Sequence, residues 1–501
     1  MTEKHAEKNV VIIGGGIAGL TAAAYLSRAG MDVHLFERHT QPGGYISSFS
    51  RRGFTFPAGP TSFGSNGIVF PILEELGLRE KCRFIPASRQ LNWNRHDNCH
   101  DLLLHSPAQV CDELSAIFPH ERRSLRRYFR WVETGGRGFR GLFESGLMFS
   151  GGKGALGQGL RLWLHNPLFP WAMAVARGRT NRSLHARYFR DPELIRMLDG
   201  LGYPVMTAAT TLGMWVSYFQ DYHRPLGGMQ TIADVFAQSV REHGGHIHLG
   251  QGVRRILIDH GTAAGVRLTD ETEIRARWVV SAADMRSTFL DMIGREHLLP
   301  SLITKLERGR PSESIFAVYL GLDDSAEMAA SLGRFQADHI FFRCADGEYL
   351  QAVLLSKDNP SIVPPGRHAL WLGRFASCEP WHDLEGAAYR QRKEDEAQDL
   401  IRRGEELVPG LSRHIEVMET ASPLTFERYT GNWRGASAGW NWDPADNPQI
   451  KPATDVELKN FYCAGHWTYS PGGVPSAMIT AWYIAQEILH HWHMNPASIS
   501  P

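Results

Sequence analysis

Val10-Val11-Ile12-Ile13-Gly14-Gly15-Gly16-Ile17-Ala18-Gly19-Leu20 is the stretch that decides the fold. Its four leading residues are apolar and mostly β-branched, the pattern of a strand buried on both faces. G-x-G-x-x-G follows, then Leu20, Ala23, Ala24 and Ser27 at helical spacing, with Gly30 as the stop. A second strand over Asp32 to Phe36 ends in Glu37-Arg38, and Glu37 lies 18 residues beyond Gly19. Each part has a physical reason. Gly14 permits the strand-to-helix turn, Gly16 lets a diphosphate approach the backbone, and Gly19 lets the helix lie against the strand. The diphosphate then meets the free N–H groups of the helix that Ile17 and Ala18 open. Glu37 can accept from the ribose hydroxyls. The expectation is an α/β, Rossmann-like dinucleotide-binding unit.

A second glycine pair, Gly43-Gly44 in Gln41-Pro42-Gly43-Gly44-Tyr45, would bring the backbone past a long cofactor again. Much later, Pro225-Leu226-Gly227-Gly228-Met229 opens a helix over Gln230 to His243, which Gly244-Gly245 ends. Short strands follow around His246–Leu249, Val253–Ile258, Ala264–Leu268 and Glu273-Ile274, and Trp278-Val279-Val280-Ser281-Ala282-Ala283-Asp284 closes the block. Near the C-terminus, Phe461-Tyr462-Cys463-Ala464-Gly465-His466 reads as a strand and turn. Pro471-Gly472-Gly473-Val474-Pro475 then leads into an amphipathic helix to about His490, a second glycine-rich helix start suited to an anion.

These blocks resemble the FAD-binding family that contains amine oxidases and phytoene desaturases. Gly53-Phe54-Thr55-Phe56-Pro57-Ala58-Gly59-Pro60-Thr61 is similar to the G-F-T-F-D-A-G-P-T segment of phytoene desaturases and carotenoid isomerases. Pro57 stands where the family has aspartate, and Tyr45 where many relatives have arginine. Thr420-Ala421-Ser422-Pro423-Leu424-Thr425-Phe426-Glu427-Arg428-Tyr429-Thr430-Gly431-Asn432 is similar to the family's T-P-x-T-x-x-R-Y-T-G-N segment, offset by the extra Ala421-Ser422. The resemblance implies FAD held by Gly14, Gly16, Ile17, Ala18, Gly19, Glu37, Arg38, Gly43, Gly44, Tyr45, Pro60, Thr61, Val253, Ala282, Gly465, His466, Gly473 and Val474. Val253 would sit beside the adenine, and the last helix start would stabilise charge at the pyrimidine edge of the flavin. His466, Trp467 and Tyr469 are the candidate catalytic residues, facing the substrate. No metal site is expected.

The organisation follows from these blocks. Residues 1–85, 225–300 and 426–501 form a discontinuous FAD domain, and 301–425 an α+β substrate domain with strands near Ser314–Gly321 and Ala369–Phe375 and a charged helix over Glu394–Leu407. Residues 86–224 make a helical substrate-entry or membrane-facing subdomain, and short helical patterns alternate with turns over 62–120, across the boundary. Within it, 121–190 carries fourteen Lys/Arg against three acids, interleaved with Leu147, Met148, Phe149, Leu160, Trp163, Leu164, Leu168, Phe169 and Trp171. That mixture suits a segment lying in a lipid headgroup plane, or the solvated face of an ordinary helical subdomain.

Whole-chain composition narrows the partners. Lys+Arg and Asp+Glu both number 53 in 501 residues, so no basic footprint for nucleic acid exists. Six cysteines without a C-x-x-C pair fit neither a disulfide scaffold nor a zinc site. With no signal-peptide pattern and no apolar run of spanning length, the expectation is a cytoplasmic protein, peripheral at most on the inner face of a membrane. The oligomeric state stays open.

The function this points to is desaturation of a lipophilic polyene or isoprenoid, with hydride transfer to flavin N5. The same scaffold supports polyene cis–trans isomerisation or saturation. An amine or amino-acid oxidase is the polar-substrate alternative, and a flavin-binding partner without turnover the non-enzymatic one. Lys451 and Lys459 lie outside the glycine-rich motif, which leaves the amine-oxidase reading without its lysine there.

Overall fold

A computed structural model describes residues 8–95, 98–144, 155–202, 205–448, 450, 457–470 and 472–493. Leu147, Met148, Phe149, Lys153, Lys451 and Pro471, invoked above, lie outside them.

Five parallel strands form the central sheet, in the order His246–Leu249, Asp32–Glu37, Asn9–Ile13, Trp278–Ser281 and Phe461–Cys463. Three distant parts of the chain therefore meet in one sheet, and the first strand is its middle. Val10 and Ile12 point to one face, packed under the helices Ile17–Arg28, Gln230–Glu242 and Val474–His493. Val11 and Ile13 point to the other, against Ile256, Val266 and Leu268 of the antiparallel meander Val253–Asp259, Thr262–Leu268 and Glu273–Arg275. Burial on both sides is why the strand is continuously apolar rather than alternating.

A second sheet has seven strands, ordered Ile415–Ala421, Ser314–Leu322, His368–Ala376, Tyr349–Leu354, His339–Arg343, Arg89–Arg95 and Asn98–Leu103. One face carries Phe316, Val318 and Leu320 under helix Gly386–Leu407. The other carries Tyr319, Val353 and Trp371 against Phe54 and Phe56. The last two strands differ from the sequence expectation, which puts short helices and turns over 62–120. Leu91 and Trp93 are fully buried, and the hairpin extends the sheet because Arg89 pairs in parallel with His339. A partner that remote leaves no local sequence signal.

Residues 122–216 supply the helical subdomain: Arg122–Glu144, Ala155–His165, Phe169–Ala176, Asn181–Tyr188, Pro192–Gly200 and Ala208–Val216. Leu125, Tyr128, Trp131 and Val132 of the long helix are buried, and Trp131 Nε1 donates to Ala172 O at 2.9 Å. Its arginines 122, 123, 126, 127, 130, 137 and 140 face solvent. Beyond it Leu160, Trp163, Leu164, Leu168 and Trp171 are exposed, Leu164 by 62%. No helix among the described residues is long and apolar enough to cross a membrane.

Candidate functional site

The turn after the first strand is as tight as three glycines allow. Gly14 has φ +96°, and a Cβ on Gly19 would stand 2.0 Å from Gly14 O. At Gly16 the same construction meets nothing within 4 Å, so the space before the helix is open. Gly43 N donates to Gly15 O at 2.8 Å, which lays the second glycine pair beside the first. Glu37 closes the strand end: Oε2 accepts from Gly15 N at 2.7 Å and Oε1 from His39 N at 2.8 Å. Both oxygens are thus fixed with lone pairs to spare. Arg38 reaches the far block, where Nη2 donates to Arg428 O at 2.6 Å, at the end of helix Pro423–Thr430.

The C-terminal block builds the opposite wall. Gly465 has φ +116°, and its N–H donates to Thr480 Oγ1 at 2.9 Å. Gly473, again with open space at its Cα, precedes the helix that Val474 begins. Asn432 Oδ1 accepts from Trp467 Nε1 at 2.7 Å and from His466 Nε2 at 3.0 Å. That fixes the His466 tautomer and leaves Nδ1 with its lone pair. Burial pulls His466 down to about 4, so the imidazole is neutral in ordinary buffers. Tyr45 packs beside it, ring centroids 6.2 Å apart, and its hydroxyl donates to Gly435 O and Ala436 O at 2.9 Å.

All of this surrounds one cavity of about 1540 Å³. Small-ligand sites run to roughly 1,000 Å³, so the space exceeds what one ligand needs. A family model described as flavin containing amine oxidoreductase matches residues 17–489.

The chain belongs to that family.

It is an FAD-dependent oxidoreductase. The residues present fit the cofactor: open backbone at Gly16 and Gly473, two helix starts turned to the cavity, and a fixed carboxylate at the second strand's tip. Among curated relatives, the chain is 25% identical to a prolycopene isomerase of Arabidopsis thaliana over 93% of this chain and 80% of that protein. It is 26% identical to a 4,4'-diapophytoene desaturase of Methylomonas sp, covering 96% of each. Among solved structures, an oxidoreductase from Methanosarcina mazei superposes with TM-score 0.65 at 16% identity, over 95% of this chain and all of that one. A putrescine oxidase does so at TM-score 0.64 and 15% identity, over 96% and 99%.

Of the residues expected at the site, Gly14, Gly16, Ile17, Ala18, Glu37, Arg38, Gly43, Gly44, Tyr45, Pro60, Val253, Ala282, Gly465, His466, Trp467, Tyr469, Gly473 and Val474 line the cavity. Gly19 and Thr61 do not. Gly19 sits under the turn as a packing residue. Tyr469 is 62% exposed. Trp467 is buried, and its N–H donates to Asn432 Oδ1. The sequence did not point to Asn432 as the shared acceptor, to Asp284 or Lys393, or to Arg89 and His339 on the seven-stranded sheet, all cavity-lining. No local pattern marks Arg89, whose place is set by its pairing with the remote His339.

Exchange of Glu37 for Gln is expected to weaken FAD binding about tenfold, since a charged acceptor for the ribose is replaced by a neutral one. Titration of the apoprotein with FAD, followed by flavin fluorescence, measures it. An unchanged Kd would remove Glu37 from the ribose.

Proposed function

We propose that the protein oxidises a long lipophilic polyene or isoprenoid at the flavin. The observation that carries this is the continuity of the cavity. Beyond the glycine-rich cradle it runs along Phe139, Leu142, Leu201, Met206, Met214 and Phe341, an apolar wall with room for a chain. FAD, when bound, supplies the two-electron acceptor. The protein's part is to hold the chain so that one C–H faces the cofactor, and to keep water out. His466, neutral and tied through Nε2, offers Nδ1 to the proton lost from the neighbouring carbon. The names of the relatives supply the substrate class, desaturated or isomerised carotenoids. Mixing FAD-loaded protein anaerobically with lipid-dispersed carotenoid precursors should bleach the flavin band while the polyene band moves to the red. No change in either band, with oxidised or with reduced flavin, overturns the reading.

A second reading, net redox-neutral isomerisation, is favoured by the prolycopene isomerase relatives. Turnover that needs prereduced flavin, and leaves it reduced, would select it.

The exposed Leu160, Trp163, Leu164, Leu168 and Trp171 are read as the surface that meets lipid. Gly141, beside cavity-lining Leu142, lies against Leu162, so the apolar arm runs up to this helix pair. Here the apolar residues, not the arginine run of Arg122–Glu144, would make the contact. Replacing Trp163 and Leu164 together by Glu should lower cosedimentation with anionic liposomes about tenfold. Equal cosedimentation of wild type and variant would remove this surface.

A further inference from the structure

Arg89 begins the strand that pairs with His339, and the parallel register sets the two side by side on the cavity face of the seven-stranded sheet. Both are nearly sealed from solvent, 3% and 7% exposed. Arg89 lies over the Tyr222 ring at 4.0 Å, and Nη2 donates to Ser62 Oγ at 3.0 Å. Nη1 reaches only the Ser88 carbonyl at 3.5 Å, and Nε has no partner. No carboxylate pairs with this guanidinium among the described residues. The buried acid of this corner, Asp338, stands 3.4 Å from Arg224 and accepts from Ser88 N and Oγ. His339 Nε2 meets Gln351 Oε1 at 3.1 Å, while Nδ1 is buried without a partner.

A buried cation with no counter-charge, beside a buried ring nitrogen with no partner, is costly in an apolar wall. Such groups persist where a ligand completes them. The buried, unpartnered Nε and adjoining Nη2 form one edge of the guanidinium, the fork that matches the two oxygens of a carboxylate. Turning the Gln351 amide so that its NH₂ donates to Nε2 leaves His339 Nδ1–H as a third donor.

We infer that Arg89 and His339 receive the carboxylate end of a lipophilic chain, so that the substrate is an amphiphilic acid rather than a pure hydrocarbon. This rests on the lipophilic-chain reading above. It adds a specificity-determining pair on the sheet opposite the flavin cradle. The apolar chain would then be anchored at one end, which fixes the carbon presented to the cofactor.

The test is binding of cis-parinaric acid and of its methyl ester to the FAD-loaded protein, followed by probe fluorescence. The acid should bind at least about tenfold tighter than the ester, as for a desolvated charge pair. In Arg89→Gln the acid-to-ester ratio should fall to near one. Arg89→Lys, which keeps a charge but loses the fork, should fall between. Bound flavin in each variant reports that it is folded. An ester bound as tightly as the acid by wild type, or a ratio that neither substitution changes, overturns the inference. Conversion of a hydrocarbon polyene by protein that binds acid and ester alike would sink this inference alone. Acid-selective binding with neither a hydrocarbon polyene nor a polyene acid converted would instead sink the proposed reaction.

Discussion

Protein carrying Gly19→Ala should be isolated without flavin, or not be isolated folded at all, whereas Gly16→Ala should fold and bind FAD weakly. The two glycines belong to one motif, yet the structure separates their reasons. A methyl on Gly19 would stand 2.0 Å from Gly14 O, a backbone atom held in the sheet because Gly14 N donates to Phe36 O at 2.8 Å. Neither atom can yield without moving the strand from the helix. Overpacking of a sealed core costs about 1–3 kcal/mol where side chains can adjust, and here they cannot, so about 3 kcal/mol or more is expected. That is a large share of a typical domain's stability. Gly16 has open space instead, so a methyl added there is free of strain in the protein alone and the cost falls on the bound diphosphate. Unfolding in urea and the ratio of flavin to protein absorbance measure both. A Gly19→Ala protein with wild-type stability and flavin would show that the turn relaxes. A Gly16→Ala protein that loses stability would show that its glycine serves the fold.

That contrast also marks what could be read from the chain. Strand, glycine turn, helix and acid are close in sequence, and Gly19 answers Gly14 and Ile12 a few residues away. The central strands Asn9–Ile13 and Trp278–Ser281 were legible as apolar runs, since burial on both faces leaves a mark in the sequence itself. The wall of the cavity was not. Arg89 acquires its meaning from His339, and Asn432 from His466 and Trp467. Those pairings are made by the sheet and by the meeting of chain ends, with no periodicity to announce them. The basic segment shows the same limit. Trp131 and Trp163 sit in similar Arg- and Leu-containing surroundings, yet one is buried with its N–H on Ala172 O and the other is exposed. Only the packing of helix Arg122–Glu144 separates core from surface there.

Two groups lining the cavity, Asp284 buried and His466 half-buried, should give the protein opposing pH dependences. Asp284 caps the short helix Met285–Ser287, and its carboxylate accepts from Ser287 N at 2.8 Å and Trp433 N at 2.9 Å. Burial outweighs these bonds and raises its pKa from 3.8 to about 6. Between those values the folded state holds the extra proton. Asp284 therefore contributes stability at low pH that is lost as pH rises through about 6. His466 runs the other way. Its pKa is lowered from 6.5 to about 4, so the unfolded chain holds the extra proton and stability is lost as pH falls through that window. Each slope approaches about 1.4 kcal/mol per pH unit between its two values, and they cancel across most of pH 4 to 6. Asp284→Asn should leave the rising slope alone, and His466→Asn the falling one. From pH 4.5 to 6 the two variants should diverge by up to about 4 kcal/mol in urea unfolding, at most about 2 from each. All other titrating groups are common to both proteins and drop out of the difference. The two groups are also joined through one segment, since Asp284 holds Trp433 N and the preceding Asn432 holds His466. Parallel pH profiles in the two variants would mean that water in the cavity solvates both groups, and would remove the basis for a neutral His466 beside the flavin.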